Sequence, residues 1–415
     1  MALAVGVVYY FSNPRPQYYY DYTFRVAGQM LNGALGLSTK PPGHLNEFVP
    51  FAGAWYSVFP LGGVLTMVPA AVLKYIGMIG NMPAASIAAL LAAGICWLLL
   101  TIGSHYDLPN KRVLLTSLGI MFGTWMWTNL TLGGAWQLAL GFAMLGELGA
   151  IYFTVYDRRP MLAGAFFALG FGNRTEVLLT APILLLLMGR RELREGVGAP
   201  VGGVQPPATA GGTYLKGELL DAIRRAVQNW RRIGTFIALP FVLGVATLWY
   251  NYARFGSPFY FGYSWIPGVL DEPWYKHGIF SVRYIPRQAW EMLWRPWEFS
   301  NAFPYVVPNP FSASILWSSP FILFALRFGA MDKFLKYSAW AAIALLTVLL
   351  WTHGNSGGWQ FGYRYWMVCL PWLFVIMMEN APKTISPIEW AAYLLAFAAN
   401  AYATWLFNWT NYLRP

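Results

Sequence analysis

AASIAALLAAGICWLLLTIG, residues 84–103, runs for the length of a bilayer crossing without one charged side chain. A helix rises 1.5 Å per residue, so about 20 apolar residues cover the hydrocarbon core of a membrane. Further apolar blocks lie at 59–79, 113–130, 135–155, 161–188, 233–250, 311–326, 337–352, 365–380 and 389–408. Inside lipid every backbone N–H and C=O needs an internal partner, which leaves helices or a closed barrel. Long Leu/Ala/Val/Ile runs lack the strict alternation of barrel strands. The expected fold is an all-α polytopic membrane protein, a single transmembrane domain over 1–415 with about ten to twelve spans.

Composition agrees. Apolar residues make up 57% of the chain and charged residues 11%, against about a quarter charged in a soluble domain. The net charge of +11 fits basic cytoplasmic loops better than nucleic acid, which is not an expected partner. Cys96 and Cys369 sit inside apolar blocks and read as packing residues, with no disulfide framework and no metal site. The opening stretch, Met1 to Phe11, is short for a span and has no basic flank, so it is a poor signal peptide. It reads as an incomplete first transmembrane helix. No internal repeat stands out.

Three loops are long. Residues 12–58 are rich in Tyr, Pro and Gly, and 251–310 are packed with Trp, Tyr and Phe. Residues 189–232 carry Arg190, Arg191, Arg194, Lys216, Arg224, Arg225, Arg231 and Arg232. The basic loop is expected in the cytoplasm, with Gly196–Gly212 as a flexible linker. Gly217–Arg232 is expected as an amphipathic helix on the inner membrane surface. The loops 12–58 and 251–310 are then external, with Thr352–Arg364 and the C-terminus. Their aromatics fit interfacial helices at headgroup level. The block 161–188 has two readings, because Asn173, Arg174, Thr175 and Glu176 interrupt it. One span would bury an arginine at a cost of ~2.5–3.5 kcal/mol. Two half-spans would present Arg174 and Glu176 to an external cavity. The second reading leaves the turn at Gly80–Pro83 on an awkward side.

Asp21 and Glu47 are the two acids of the first external loop. Apolar surroundings would raise the proton affinity of Asp21, and Arg25, one helical turn on, would lower it.

The order of several motifs resembles the GT-C class of membrane glycosyltransferases, nearest the bacterial protein mannosyltransferase and aminoarabinose transferase type. Tyr20-Asp21-Tyr22, followed by Arg25 to Gly33, resembles the class's first external loop, with its acid and amphipathic helix. Trp55-Tyr56-Ser57-Val58-Phe59-Pro60-Leu61-Gly62, with Pro69 beyond, resembles the return into the second span. Gly123-Thr124-Trp125-Met126-Trp127 resembles an aromatic patch between later spans. The segment from Arg159-Pro160 to Arg174 and Pro182 resembles a small-residue helix with a basic outer end. Tyr252 to Phe259 and Gly358 to Tyr365, with Pro371, resemble the large external loop and a late basic motif. Together they cover about half the chain. The class often pairs two acids in the first loop, whereas Asp21 stands alone among tyrosines. Asp107 and Glu147 are the other candidates for a second acid.

The resemblance implies an inverting enzyme of the cell membrane that uses a polyprenyl-phosphate sugar, on the outer face, to glycosylate a glycan, lipid or protein hydroxyl. No cofactor is required, and a divalent cation stays open. Asp21 would be the base. Arginine forks suit a phosphate leaving group, so Arg364 comes first, then Arg174, Arg25 and Arg254. Glu47, His353, Tyr22 and Glu176 are candidate substrate contacts. A lipid or glycolipid transporter, or a non-catalytic membrane subunit, are the rival readings. The sequons at Asn129, Asn173 and Asn408 are short enough to arise by chance.

Overall fold

A computed structural model describes residues 1–190 and 211–413. The expected linker, Gly196–Gly212, falls outside the described residues except at its last two positions. The chain is mostly helical. α1 (Ala2–Phe11) leads into the first long loop, which holds α2 (Tyr22–Leu31), the hairpin β1 (Phe48–Phe51) and β2 (Ala54–Ser57), and the short α3 (Leu61–Leu65) and α4 (Val68–Tyr75). Then come α5 (Ala84–Gly103), α6 (Asn110–Phe122), α7 (Met126–Leu132), α8 (Ala135–Val155) and α9 (Pro160–Asn173). A 3-10 turn at Thr175–Thr180 joins α9 to α10 (Ala181–Met188), followed by α11 (Gly211–Gln228) and α12 (Trp230–Phe255). The aromatic loop contributes α13 (Ile285–Leu293) and the small ribbon β3 (Glu298–Phe299) and β4 (Val306–Val307). α14 (Ile315–Ser318), α15 (Lys333–Trp351), α16 (Leu370–Glu379) and α17 (Pro387–Trp409) complete the chain.

Among the described residues four helices, α5, α8, α12 and α15, are long and apolar enough to cross a membrane. α8 is the most enclosed of them and α12 the least. α12 turns Phe241, Val242, Val245 and Trp249 outward, as a helix facing lipid does. α8 and α9 pack backbone to backbone at glycines: a methyl group on Gly146 would fall 2.4 Å from the Gly170 nitrogen. Small residues at such crossings let helices approach where apolar burial alone gives no drive.

The loops gather at two ends of the bundle. At one end Arg158 donates to the Arg190 carbonyl (2.8 Å), Tyr106 to Glu379 (2.8 Å), and Arg327 to Glu389 (2.8 Å), which also pairs with Arg112. Glu389 completes a capping box with Ser386 at the start of α17. At the other end Asn408 and Trp409 donate to the Ser12 carbonyl (3.1 and 2.9 Å). Ala135 donates to the Tyr20 carbonyl (3.0 Å) and Ser281 to the Thr352 carbonyl (2.8 Å). We call these the basic and aromatic ends.

This arrangement settles the readings left open above. Arg158 and Arg190 meet at the basic end while Arg174 lies between them in sequence, so 160–188 is a hairpin of two half-length helices. The block 59–79 departs from expectation: it is not one long helix. Its helical part starts after Pro60 and breaks at Thr66 and Met67 into α3 and α4. α4, eight residues long, covers only about 12 Å. Lys74 of α4 lies over the Phe24 ring of α2 (5.4 Å), and a methyl group on Gly133 would meet Ala84, at the start of α5, at 3.0 Å. Both ends of 59–83 therefore sit at the aromatic end, and so does the turn at Gly80–Pro83.

The chain is mostly helical, as expected, and adds a small hairpin in which β1 pairs antiparallel with β2. Aromatic and β-branched residues flank the two-residue turn Ala52-Gly53, where both φ angles are positive (48° and 80°). That is the primed turn whose twist suits a hairpin. Ala52 carries no Asn or Asp signal for it. Asn129, Asn173 and Asn408, the three sequon asparagines, are buried.

Candidate functional site

The aromatic end holds a cluster that grows outward from Glu47. Glu47 sits at the foot of the β1–β2 hairpin, where the Val58 amide donates to its backbone carbonyl (3.4 Å). The foot is braced by Arg254, in the last turn of α12. This buried guanidinium donates to the Ser57 carbonyl and to Asn251 Oδ1 (2.8 Å), and lies 3.6 Å from the Tyr250 ring centre. Arg254, expected among the phosphate contacts, is therefore committed to the frame that places Glu47.

The Glu47 carboxylate points at the first turn of α8. Trp136 Nε1 donates to its Oε2 at 2.8 Å. The Arg364 guanidinium lies 5.9 Å from the Trp136 ring centre and 5.4 Å from that of Tyr365. A second guanidinium on the Tyr365 ring is that of Arg174, at 4.9 Å. Arg174 pairs with Glu176 at 2.6 Å. Glu47, Trp136, Arg364, Tyr365, Arg174 and Glu176 thus form one connected chain, drawn from four separate parts of the fold. The α9–α10 hairpin brings Arg174 and Glu176, because α9 ends at Asn173 with Arg174 as its extended C-cap. A 3-10 turn beginning at Arg364 brings Arg364 and Tyr365. Arg364 is buried, donates only weakly to the Trp359 carbonyl (3.4 Å), and its Nε finds no acceptor among the described residues.

An aromatic wall closes one side. His353 meets the rings of Tyr263, Tyr275, Phe280 and Tyr365 edge-on, with centres 5.3–6.3 Å away. Tyr263 and Tyr275 share a hydroxyl–hydroxyl hydrogen bond of 3.0 Å. His353 donates from Nδ1 to the Asn355 carbonyl (2.7 Å), which leaves Nε2 as the acceptor of the neutral ring. Burial lowers its pKa to about 4, against the Asn355 bond and with help from Arg174 and Arg364. His353 is neutral at pH 7 and offers no cation.

Glu47 moves the other way. Burial raises its pKa to about 7, opposed by the Trp136 hydrogen bond, Arg364 and Arg174, and assisted by Glu272. It keeps partial solvent contact, so it is enclosed by protein yet reachable. A carboxylate titrating near neutrality takes and returns protons efficiently. Arg364, with its unsatisfied Nε, offers fork donors to an anion, and Arg174, paired with Glu176, adds positive charge on the same tyrosine ring; tyrosine faces suit a sugar ring.

Asp21 stands apart. It occupies the N-cap position of α2, and both its oxygens accept from Arg25 at 3.0–3.2 Å. Burial raises its pKa and the Arg25 charge lowers it. Arg25 is spent in the same pair. Tyr22 supports the cluster from below: it stacks on Phe48 (5.5 Å), meets Trp136 (5.0 Å) and donates to Asn46 (3.0 Å). Asp107 pairs with Lys383 (2.6 Å) at the basic end. Glu147 is buried within α8, where Trp372 donates to it (2.9 Å).

Glu47, Arg364, Arg174, Glu176 and His353 were legible as candidates and are brought together here. Trp136, Tyr365, Tyr263 and Glu272 were not singled out. The one sequence signal for Trp136 is an aromatic residue at the edge of an apolar block, which ordinarily means an interfacial anchor. Among the described residues no three His, Cys, Asp or Glu side chains converge on a metal position. Comparison with protein-family models, curated proteins and solved structures returns no match for this chain.

Proposed function

We propose that the chain is a multi-pass membrane glycosyltransferase that moves a sugar from a polyprenyl phosphate to an acceptor hydroxyl at its aromatic end. Among the described residues eleven segments then run between the two ends: α1, α5, α6, α8, α9, α10, α12, α14, α15, α16 and α17, with α14 and α16 extended by their neighbouring 3-10 turns. The basic end faces the cytoplasm, as the charge rule prefers, and α2, α3, α4 and α13 lie along the outer surface. Cysteines placed at Lys383 and Asn301 label from opposite sides of the membrane. Labelling from one side would overturn this orientation. Cys96 and Cys369 are buried and give little background.

The observation that carries the reading is the chain from Glu47 through Trp136, Arg364 and Tyr365 to Arg174. Glu47, in place of Asp21, takes the proton of the acceptor hydroxyl. The acceptor oxygen forms its bond to the anomeric carbon as the bond from that carbon to the phosphate oxygen breaks. The electron pair stays on the lipid phosphate, where Arg364 and Arg174 meet the developing charge. A single displacement of this kind inverts the anomeric centre.

Purified protein given a polyprenyl-phosphate sugar and acceptor tests it. Transfer or donor hydrolysis that disappears in Glu47→Gln supports the enzyme. A transporter needs the arginines but no base. Movement of intact lipid across vesicles, unchanged in Glu47→Gln and without transfer, would replace the enzyme reading.

A further inference from the structure

The basic end carries a cavity of about 290 Å³ that the proposed reaction does not use. Arg158, Arg190, Arg225, Arg232 and Asn229 line it. Its floor is the base of the α9–α10 hairpin. Arg158 lies just before α9 and Arg190 just after α10, and their bond holds the two strands of chain together. Arg190 is fixed by Asp332 and, at 3.7 Å, by Glu218 of α11. α11 lies close on this floor: a methyl group on Gly189 would fall 2.2 Å from the Ala222 carbonyl oxygen. Arg225 comes from the end of α11, Asn229 from the non-helical cap between the two helices and Arg232 from the first turn of α12, so the α11–α12 junction supplies the wall. Asp221 stands 3.9 Å from Arg225, and more than half of its side chain is exposed.

A second face of the same segment is apolar and exposed. Leu220, Ile223 and Val227 of α11 are 44–71% exposed, at i, i+3 and i+7, and Trp230, the first residue of α12, is also exposed. In water that stripe would be unfavourable, whereas on a bilayer it is the buried face of an interfacial helix. The stripe places the cavity at headgroup depth, and basic pockets between helices at that depth hold anionic headgroups.

We propose that this cavity binds the phosphate of an anionic ester, held by the arginine forks and the Asn229 amide. The apolar stripe favours the headgroup of a membrane phospholipid as its source. The site is separate from the aromatic end and does not rest on the proposed transfer.

The full-length protein in neutral detergent is melted with added phosphatidylglycerol, phosphatidylcholine or glycerol 1-phosphate. Phosphatidylglycerol raises the melting midpoint of the wild type and phosphatidylcholine does not. Arg225→Gln weakens phosphatidylglycerol binding about tenfold, as for loss of one charge-assisted bond, and Arg225→Glu with Arg232→Glu removes the shift. Arg224→Gln, the same charge change as Arg225→Gln but outside the cavity lining, keeps it. A shift from glycerol 1-phosphate as well assigns the site to soluble phosphate esters, and a shift from the lipid alone assigns it to the membrane headgroup. No wild-type shift with phosphatidylglycerol, or the full shift in Arg225→Gln and the double variant, would overturn the proposal. Arg225→Gln keeps the test decisive where the double variant does not fold.

Discussion

Asp21 and Glu47 belong to one loop and meet different fates. Asp21 starts a helix, and the residue four positions on is an arginine, so local geometry alone closes a bidentate pair around it. Glu47 sits at the foot of a hairpin and finds its partners far along the chain, in Trp136, Arg364 and Arg174. The first carboxylate is satisfied by its neighbour. The second is held by the tertiary structure near the point where it can gain or lose a proton at neutral pH. A lone acid in a first loop therefore says little about chemistry until its partners are known.

The comparison breaks most directly by mutation of both acids. Glu47→Gln should lower transfer by ~10²–10⁴, the range for loss of general-base help, in protein that still folds. Asp21→Asn should leave transfer within severalfold of wild type, because it removes an i,i+4 pair worth only ~0.3–0.5 kcal/mol. Single-turnover transfer with purified protein measures both. The opposite order returns the base to Asp21.

Next in size is the phosphate contact. Arg364→Ala should lower the rate by ~10²–10³, as for one lost oxyanion donor. Arg364→Lys should fall between, since it keeps charge and loses the fork. Normal specific activity in the surviving Arg364→Ala protein would make Arg364 structural.

The pH profile sharpens the same contrast. A base must be deprotonated to act, so kcat/KM should rise with pH and level off above about 7, where burial places Glu47. Arg364 and the Trp136 hydrogen bond both favour the charged form. Arg364→Ala and Trp136→Phe should therefore move that rising limb to higher pH, while Arg364→Lys leaves it near its place. A limb that stays fixed in all three would detach it from Glu47.

The smallest effect on chemistry belongs to Arg254. Arg254→Met leaves the Ser57 carbonyl and Asn251 without their donor, at ~1–3 kcal/mol of stability for each group left buried and unpaired. Its signature should be a lower melting midpoint with nearly normal kcat at low temperature. A loss of kcat equal to that of Arg364→Ala would place Arg254 in the chemistry.

Much of the site could be read from residue types. Arginines beside the ends of long loops, a histidine close to one of them in sequence and an acid among aromatics are local features. Their grouping could not be read. Trp136 and Tyr365 join Glu47 to two arginines only because α8, the α9–α10 hairpin and the turn before α16 converge at one end of the bundle. An aromatic side chain at a membrane edge carries no mark of the carboxylate it will bond.

By itself the sequence determined that the chain is apolar, mostly helical, and divided between basic and aromatic loops. Those properties follow from side-chain transfer energies and period, which act residue by residue. Tertiary structure alone decided that 59–79 stays at one end, that 160–188 folds back at Arg174, and that Glu47 meets Trp136 beside the arginines. Each depends on which helix ends meet. Hydropathy measures how willingly a segment leaves water, and carries no information about which segment it will then touch.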